Sequence, residues 1–475
     1  MKKYVQPVLL LSALLLFNGM IRAQMSDPIA ITSSWTSPRT LLCTDLNGDD
    51  HTDIVAMSFS QLLYLPGDGK GAFGKVVVIA TNLTAGNVLA AGDIDGDGLK
   101  DLLIAQGNTQ STSKLKWAKQ SNPDKWSVFD ISSPVYIPEG IALGDFDMDG
   151  DLDIAATSSR DSKAYWLQNT DGKGAFGPAK ALETDWSSPL KIRAADIDGD
   201  GDTDLCAINY FNGDMQVAWW NNTDGKGGFN TNIVATLDGN NTRNVLPVDL
   251  DDDQDLDLLV AWYSSDRIGW YENTNGKGAF SNMKEIAEQT DLRPESISVF
   301  KNQNTGALQI FVSSSARKVW RINRQNNLSF SAPELVLDSL LFDPFGTRYD
   351  IMDTGDFNED GVADIVVLFQ KDKTIQYYLG QGMSNANTIF LEQDNPIKIF
   401  PNPGITHITI SWTSALPQPA TVRIFDISGK TTLFSQTLAP GITSCDISTS
   451  SFQPGIYTAQ VQLNQTIETH LFIVK

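Results

Sequence analysis

The sequence predicts an all-β chain, a seven-bladed β-propeller followed by a small Ig-like β-sandwich. Three observations predict it. An acidic nine-residue loop recurs at intervals of 48 to 55 residues. Each recurrence is followed by the same succession of short apolar runs and a glycine-rich turn. From about residue 395 the repeat stops, and alternating strands of another character take over.

The loop is clearest at Asp145-Phe-Asp-Met-Asp-Gly-Asp-Leu-Asp153, with carboxylates at positions 1, 3, 5, 7 and 9 and glycine at 6, where the chain must turn sharply. Side-chain oxygens spaced by two along a tight loop can converge on one point, and a hard cation that takes six to eight oxygens suits them. Two carboxylates about 4 Å apart repel by roughly 4 kcal/mol at an effective dielectric near 20, so the loop is not expected to close alone. Copies begin at Asp45, Asp93, Asp145, Asp196, Asp249 and Asp356, and a decayed seventh copy, Lys301-Asn-Gln-Asn-Thr-Gly-Ala-Leu-Gln309, has lost every carboxylate. Self-similarity at this period marks a repeat architecture.

After the loop at Asp145 come an apolar strand, Leu152 to Thr157, an aromatic-bearing strand, Ala164 to Gln168, and then Asn169-Thr-Asp-Gly-Lys-Gly-Ala-Phe176 before another strand. The glycine turn returns at Gly67 to Phe73, Asn222 to Phe229 and Asn273 to Phe280. With the apolar run before each loop, such as Ile141 to Leu143, a unit holds four short strands bounded by Gly, Asn and Asp turns. Four strands in about 50 residues fit a propeller blade rather than a helical solenoid.

One aromatic stands about 20 residues after each loop start: Tyr64, Trp117, Trp166, Trp219, Trp270, Trp320 and Tyr377. It survives in the decayed copy. Two readings are open, an anchor packed between blades and a ring of sugar-stacking aromatics. Pro28 to Trp35 precedes the first loop as Pro178 to Trp186 precedes the fourth. The chain thus begins with a fourth strand lacking its first three, and that strand is expected to complete the seventh blade, formed by about Arg348 to Leu379. Such pairing removes a sheet edge that would invite aggregation.

The 475 residues carry a formal charge of -22, and 28 of the 57 acidic residues lie in the six acidic loops. The acidity is therefore mostly ligand chemistry, and it speaks against a nucleic-acid partner. Met-Lys-Lys, an apolar run from Val8 to Phe17 and Ala23 before Gln24 read as a secretory signal peptide over residues 1–23. No other run reaches membrane length, so no transmembrane segment is expected after cleavage. Cys43, Cys206 and Cys445 are widely spaced and odd in number, and are read as buried thiols rather than a disulfide framework or zinc site.

The pattern Asp-x-Asp-x-Asp-Gly-x-x-Asp, an apolar strand, an aromatic strand and Asn-x-Gly-x-Gly-x-Phe resembles the FG-GAP or VCBS repeat of integrin α-subunit propellers and many bacterial surface proteins. The resemblance covers about Ser26 to Asp394, within an expected propeller domain of residues 24–394. It implies up to six Ca2+ ions, one for each intact loop. The implied ligands are Asp45, Asn47, Asp49 and Asp53; Asp93, Asp95, Asp97 and Asp101; Asp145, Asp147, Asp149 and Asp153; Asp196, Asp198, Asp200 and Asp204; Asp249, Asp251, Asp253 and Asp257; and Asp356, Asn358, Asp360 and Asp364. Position 7 is expected to contribute its backbone carbonyl. Asp50 and Gln254 stand where glycine is expected, which predicts strain or weaker sites there.

Residues 395–475 hold Ile399-Phe-Pro-Asn-Pro403, Val422 to Lys430, Phe452-Gln-Pro-Gly-Ile-Tyr457 and a terminal Thr469 to Lys475. Strands with turn signals suggest a small sandwich, and the order of motifs resembles the C-terminal sorting domain of the type IX secretion system of the Bacteroidetes. That implies an encounter with this secretion machinery and a secreted or cell-surface location.

With this strand order the acidic loops are expected on one face of the propeller, and function is read from the other, where the starts of the innermost strands ring a central opening. The starts of the innermost strands carry Arg39, Asn87, Glu139, Lys191, Arg193, Arg243, Arg293, Glu295 and Arg348. Of these, Arg39, Lys191, Arg193, Arg243, Arg293 and Arg348 form the candidate ligand face, which would suit an anionic glycan or a surface protein. The bland reading is solvated or mutually paired surface charge. The expected function is a calcium-binding, secreted or surface module for adhesion or glycan binding, acting as a monomer. The alternative is a calcium-dependent polysaccharide-degrading, lyase-like enzyme using the central opening. His51, His407 and His470 are the only histidines, and none falls on that opening, so no catalytic residue is assigned.

Overall fold

The computed structural model describes residues 29–32, 38–182, 188–211, 214–237, 242–290, 292–302, 305–314, 318–325, 329–338, 351–369, 374–380, 397–400, 407–412, 419–426, 432–453, 455–463 and 466–474. These residues are strands, turns and loops without a helix. The expected signal peptide lies outside them. The chain divides into two units, Met1–Leu391 and Glu392–Lys475.

In each sheet of the first unit the second strand follows an acidic loop or, in the sixth, its decayed copy. Such strands as Asp53–Ser58, Asp101–Gln106, Asp153–Ser158 and Asp257–Trp262 are buried along their whole length. Covered on both faces, they read as near-continuous apolar runs rather than alternating ones. Around them the described residues form seven four-stranded antiparallel sheets. The first runs through Pro38–Thr44, Asp53–Ser58, Leu62–Leu65 and Val77–Ala80, and the second through Gly86–Gly92, Asp101–Gln106, Lys114–Asn122 and Lys125–Ile131. The third holds Pro138–Gly144, Asp153–Ser158, Lys163–Leu167 and Lys180–Leu182, and the fourth Ser188–Ala195, Asp204–Phe211, Asp214–Asn222 and Phe229–Leu237. Thr242–Val248, Asp257–Trp262, Arg267–Tyr271 and Lys284–Glu288 make the fifth; Pro294–Lys301, Leu308–Ser314, Lys318–Asn323 and Glu334–Asp338 make the sixth.

The seventh sheet takes Met352–Gly355, Asp364–Phe369 and Thr374–Tyr378 from late in the chain and Ile29–Thr32 from its start. Ile29 stands opposite Tyr377 and Thr32 opposite Thr374, so the early strand completes the last sheet. First strands neighbour one another in sequence order, and that of the seventh sheet lies beside that of the first.

The periodic aromatics hold neighbouring sheets together. Tyr64, Trp117, Trp166, Trp219, Trp270, Trp320 and Tyr377 are all buried, none more than 8% exposed. A Cβ built on Gly174 would lie 2.3 Å from Trp117 Cζ3, one on Gly227 2.1 Å from Trp166 Cζ3, and one on Gly278 2.0 Å from Trp219 Cζ3. Each indole therefore packs on the glycine turn of the next sheet, which is why that turn needs its second glycine. Tyr377 donates from its hydroxyl to the Gly71 carbonyl at 2.9 Å, so the seventh sheet meets the first sheet's turn in the same way. Buried in this manner, the aromatics are packing residues.

In the second unit, Ile397–Phe400, His407–Trp412 and Ser444–Ser448 form one sheet, and Thr432–Leu438, Ala420–Asp426, Gly455–Leu463 and Thr466–Val474 form another. Ile408, Ile410 and Ile447 from the first share a core with Val422, Ile424, Ala459 and Val461 from the second, the arrangement of a β-sandwich. The three cysteines are unpaired; Cys206 and Cys445 are buried, whereas Cys43 is only partly so.

Candidate functional site

The acidic loops share one internal frame. At position 1, Asp145 accepts from Asp149 N at 3.1 Å and Gly150 N at 3.0 Å. Asp93, Asp196 and Asp356 repeat this with their own fifth- and sixth-position amides. These bonds wrap the backbone around the first carboxylate, an Asx-type closure. Positions 4 and 6 both take left-handed backbone: Gly96 and Gly98 have φ of 68° and 89°, Gly199 and Gly201 68° and 97°. Met148, Asp252 and Glu359 carry that conformation at position 4, and Asp50 (67°) and Gln254 (78°) carry it at position 6. In the fifth loop, Asp249 accepts from Asp252 N at 2.7 Å instead of the fifth- and sixth-position amides that Asp145 takes.

Position 9 is where the structure adds most to the sequence reading. Asp53, Asp101, Asp153, Asp204, Asp257 and Asp364 are wholly buried, and each opens the second strand of its sheet. Asp204 accepts from Ile197 N at 3.0 Å and Asn222 N at 2.7 Å, tying its own loop to the glycine turn of its sheet. Asp53, Asp257 and Asp364 do likewise. Burial pushes these carboxyls up, to about 7 for Asp153, Asp257 and Asp364 and about 6 for Asp53, Asp101 and Asp204. The ninth position thus anchors backbone whether or not it also meets an ion.

Three carboxylates converge within 4.8 Å in four loops: Asp93, Asp95 and Asp101; Asp145, Asp147 and Asp149; Asp196, Asp198 and Asp204; and Asp249, Asp251 and Asp253. Among the described residues the first and last loops form no such trio; there Asn47 and Asn358 replace the third-position aspartate. The Oδ1 atoms of Asp95, Asp147 and Asp198 are buried with no hydrogen-bond partner, as are those of Asp151, Asp202 and Asp255 at position 7. Burial, and then the charge at position 5, raises Asp151 and Asp255 to about 6 and Asp202 to about 7. Buried carboxylate oxygens without donors are costly unless something positive meets them, and a divalent cation with oxygen preference fits this donor set. Position 7 therefore presents buried side-chain oxygens in three loops, beside the backbone carbonyl that the sequence reading expected to contribute there.

A family model for the FG-GAP-like repeat matches residues 45–104, 145–207 and 196–260, spanning the first five acidic loops, and one for the secretion system C-terminal sorting domain matches residues 398–475. The chain carries FG-GAP-like repeats and a type IX sorting domain. The sorting domain directs export by the type IX secretion system to the cell surface or extracellular space. A comparison with curated proteins gives no match. Solved structures similar in backbone include an Agrocybe aegerita lectin described as recognising non-reducing terminal N-acetylglucosamine, at 15% identity, covering 73% of this chain and 86% of that one with a TM-score of 0.49. BBS1N, solved in complex with ARL6DN, is 12% identical, covers 77% of this chain and 99% of that one, and has a TM-score of 0.47.

The FG-GAP repeats also interlock through their turns. Asn169 Nδ2 donates to the Ile94 carbonyl of the preceding loop at 2.8 Å, Asn222 Nδ2 to Phe146 at 2.8 Å and Asn273 Nδ2 to Ile197 at 2.9 Å. Sequence reading also missed a residue two places past the third-strand tryptophan. Lys119 meets Asp95, Gln168 Nε2 donates to Asp147, and Asn221 Nδ2 donates to Asp198. That fixed offset was the available signal.

The candidate ligand face is shaped by β-bulges. In the first six sheets of the first unit the first strand slips register near its start, between Pro38 and Thr40, Gly86 and Val88, Pro138 and Ile141, Pro189 and Ile192, Thr242 and Asn244, and Pro294 and Ser296. Arg39, Asn87, Glu139, Lys191, Arg243 and Glu295 fall in these slips, where a bulge re-aims a side chain. Arg39 is half-buried and donates to Asn87 Oδ1 at 3.3 Å; Lys191 and Glu295 are buried, while Arg293 is exposed. The side chain of Arg243 and all of Arg348 lie outside the described residues. Arg193 sits further along its strand and lines a central cavity of about 590 Å3 to which the first strand of every sheet of the first unit contributes. Asp353, Ser298 and Lys301 are among its other polar linings.

Proposed function

We propose that this exported protein is a calcium-clamped β-propeller serving adhesion or glycan binding at the cell surface or beyond it. The observation that carries the calcium part is the set of buried, partnerless carboxylate oxygens at positions 3 and 7 of the acidic loops. Asp145, Asp147, Asp149 and Asp151 would hold an ion in the third loop; Asp196, Asp198, Asp202 and Asp204 in the fourth; and Asp249, Asp251, Asp253 and Asp255 in the fifth. When bound, calcium supplies positive charge that stabilises the ionised carboxylates. This chain's own residues do the rest: the ninth-position aspartates hold loop to turn, and the turn asparagines hold each loop to the next sheet.

The ligand side of the reading rests on the central cavity, whose wall carries the Arg193 guanidinium together with Lys301, Asp353 and Ser298 among apolar residues. A carboxylate- or sulfate-bearing glycan suits such a wall, since guanidinium pairs with anions in two-point geometry. A glycan array probed with the full chain, with and without EDTA, tests both parts. Binding to acidic glycans that falls at least tenfold in Arg193→Ala is expected. Neutral-glycan binding indifferent to Arg193 would overturn the ligand assignment. A melting temperature unmoved by calcium would overturn the clamp.

A further inference from the structure

The second loop has Leu99 at position 7 where the third and fourth have Asp151 and Asp202, and it differs from them also in the residue two places past the indole. In the third and fourth sheets that residue is a neutral amide, Gln168 or Asn221, donating to the third-position aspartate. In the second sheet it is Lys119, whose ammonium contacts Asp95 Oδ2 and lies 3.3 Å from Asp97 Oδ2. The Asp95 side chain is only 7% exposed, and its other oxygen is buried and partnerless, aimed into the loop. The stem of Lys119 is directed there by its strand, with the ammonium 5.8 Å from the centre of the Trp117 ring on the same face. The backbone frame is that of the other loops, with Asp93 accepting from Asp97 N at 3.1 Å and Gly98 N at 2.8 Å.

We propose that Lys119 is the resident cation of the second loop, so that Asp93 to Asp101 closes without calcium while neighbouring loops require it. A lysine head is a compact point charge able to meet two carboxylates at once, and it stands on two of the oxygens an ion would need. A divalent ion brought to Asp95 and Asp97 would have to expel it. The inference rests on the calcium reading of the other loops and refines it: this loop matches the metal-binding pattern yet is excluded from the ion count.

Native mass spectrometry of the full chain, equilibrated with excess calcium, is the test. Lys119→Gln, which copies the third sheet, is expected to carry one more calcium per chain than the wild type, and Lys119→Arg the same number as the wild type. Melting in EDTA gives a second readout: Lys119→Gln should melt below the wild type there, and calcium should narrow the gap. Equal ion counts for wild type and Lys119→Gln, or equal melting in EDTA, would overturn the proposal. If the wild type already carries six ions, the proposal fails while the calcium reading stands. If neither chain takes up calcium, the calcium reading falls first and this one with it.

Discussion

Asn169 of the third sheet donates its amide hydrogen to the backbone carbonyl of Ile94 in the second sheet's acidic loop, 75 positions earlier, at 2.8 Å. The same side chain donates to its own sheet at Leu152 O and accepts from Gly174 N at 3.1 Å. One buried amide thus holds a loop, the next sheet's loop and a glycine turn together. Asn169→Ala leaves the Ile94 carbonyl and the Gly174 amide without these bonds, and a buried polar group left unpaired costs about 1–3 kcal/mol. Urea unfolding should show a loss in that range for Asn169→Ala, and for Asn222→Ala and Asn273→Ala at the equivalent junctions. A loss below a few tenths would mean that the junction does not depend on this bond.

The glycines separate into two kinds that substitution can tell apart. Gly150 has φ 94° with nothing within 4 Å of an added Cβ, whereas Gly174 has φ 86° and its Cβ would collide with Trp117. Gly150→Ala should cost only the left-handed backbone penalty, about 1–2 kcal/mol. Gly174→Ala must also displace an indole buried between sheets, and should cost at least about 2 kcal/mol more, in the range of core overpacking. Equal losses by chemical denaturation would show that the turn accommodates a side chain.

That contrast also marks how far the sequence could be read. The repeat, its strand count and the early strand that completes the last sheet were legible, because acidic loops, apolar runs and glycine turns recur at a fixed spacing. The partners of those residues were not. Nothing in a period of about 50 residues says that the turn at Asn169 reaches the previous loop rather than its own, since that depends on how twisted sheets pack side by side. The bulged residues illustrate the same limit: Lys191 reads as a surface charge at a strand start, yet the register slip after Pro189 turns it into the protein. A loop pattern counts ligand types and cannot show that the Oδ1 atoms of Asp151, Asp202 and Asp255 at position 7 are buried.

The metal-free protein should melt in a pH-dependent way set by the ninth-position aspartates. Burial lifts Asp153, Asp257 and Asp364 to about 7 in the fold, against roughly 3.9 in an unfolded chain. A folded pKa above the unfolded one means stability fully present below about 3.9 and lost as pH rises through about 7. In EDTA the melting temperature should therefore fall between pH 5.5 and 8. Calcium favours the ionised carboxylates, so with calcium in excess the fall should shrink or reverse. A melting temperature in EDTA that rises over that interval would contradict the assignment.

The sixth sheet shows what happens when the repeat decays, and Arg324 carries the test. It occupies the turn position of Asn169, bridged to Phe330 as Asn169 is to Phe176. From there Nη1 donates to the Leu250 carbonyl at 3.1 Å, the second position of the preceding loop, and Nη2 contacts Asp252. Arginine thus performs the asparagine's task from a longer stem, and adds an ion pair beside a loop whose sixth position is Gln254 rather than glycine. Arg324→Ala removes the carbonyl's donor and should cost about 1–3 kcal/mol. Arg324→Asn restores the amide of the other junctions and should recover part of that loss. The ion pair itself contributes little where Asp252 is solvent-exposed, so 0.5 M salt should change the loss only slightly. If Arg324→Asn is no better than Arg324→Ala in urea unfolding, the shorter side chain does not reach Leu250, and the sixth junction is held by geometry of its own.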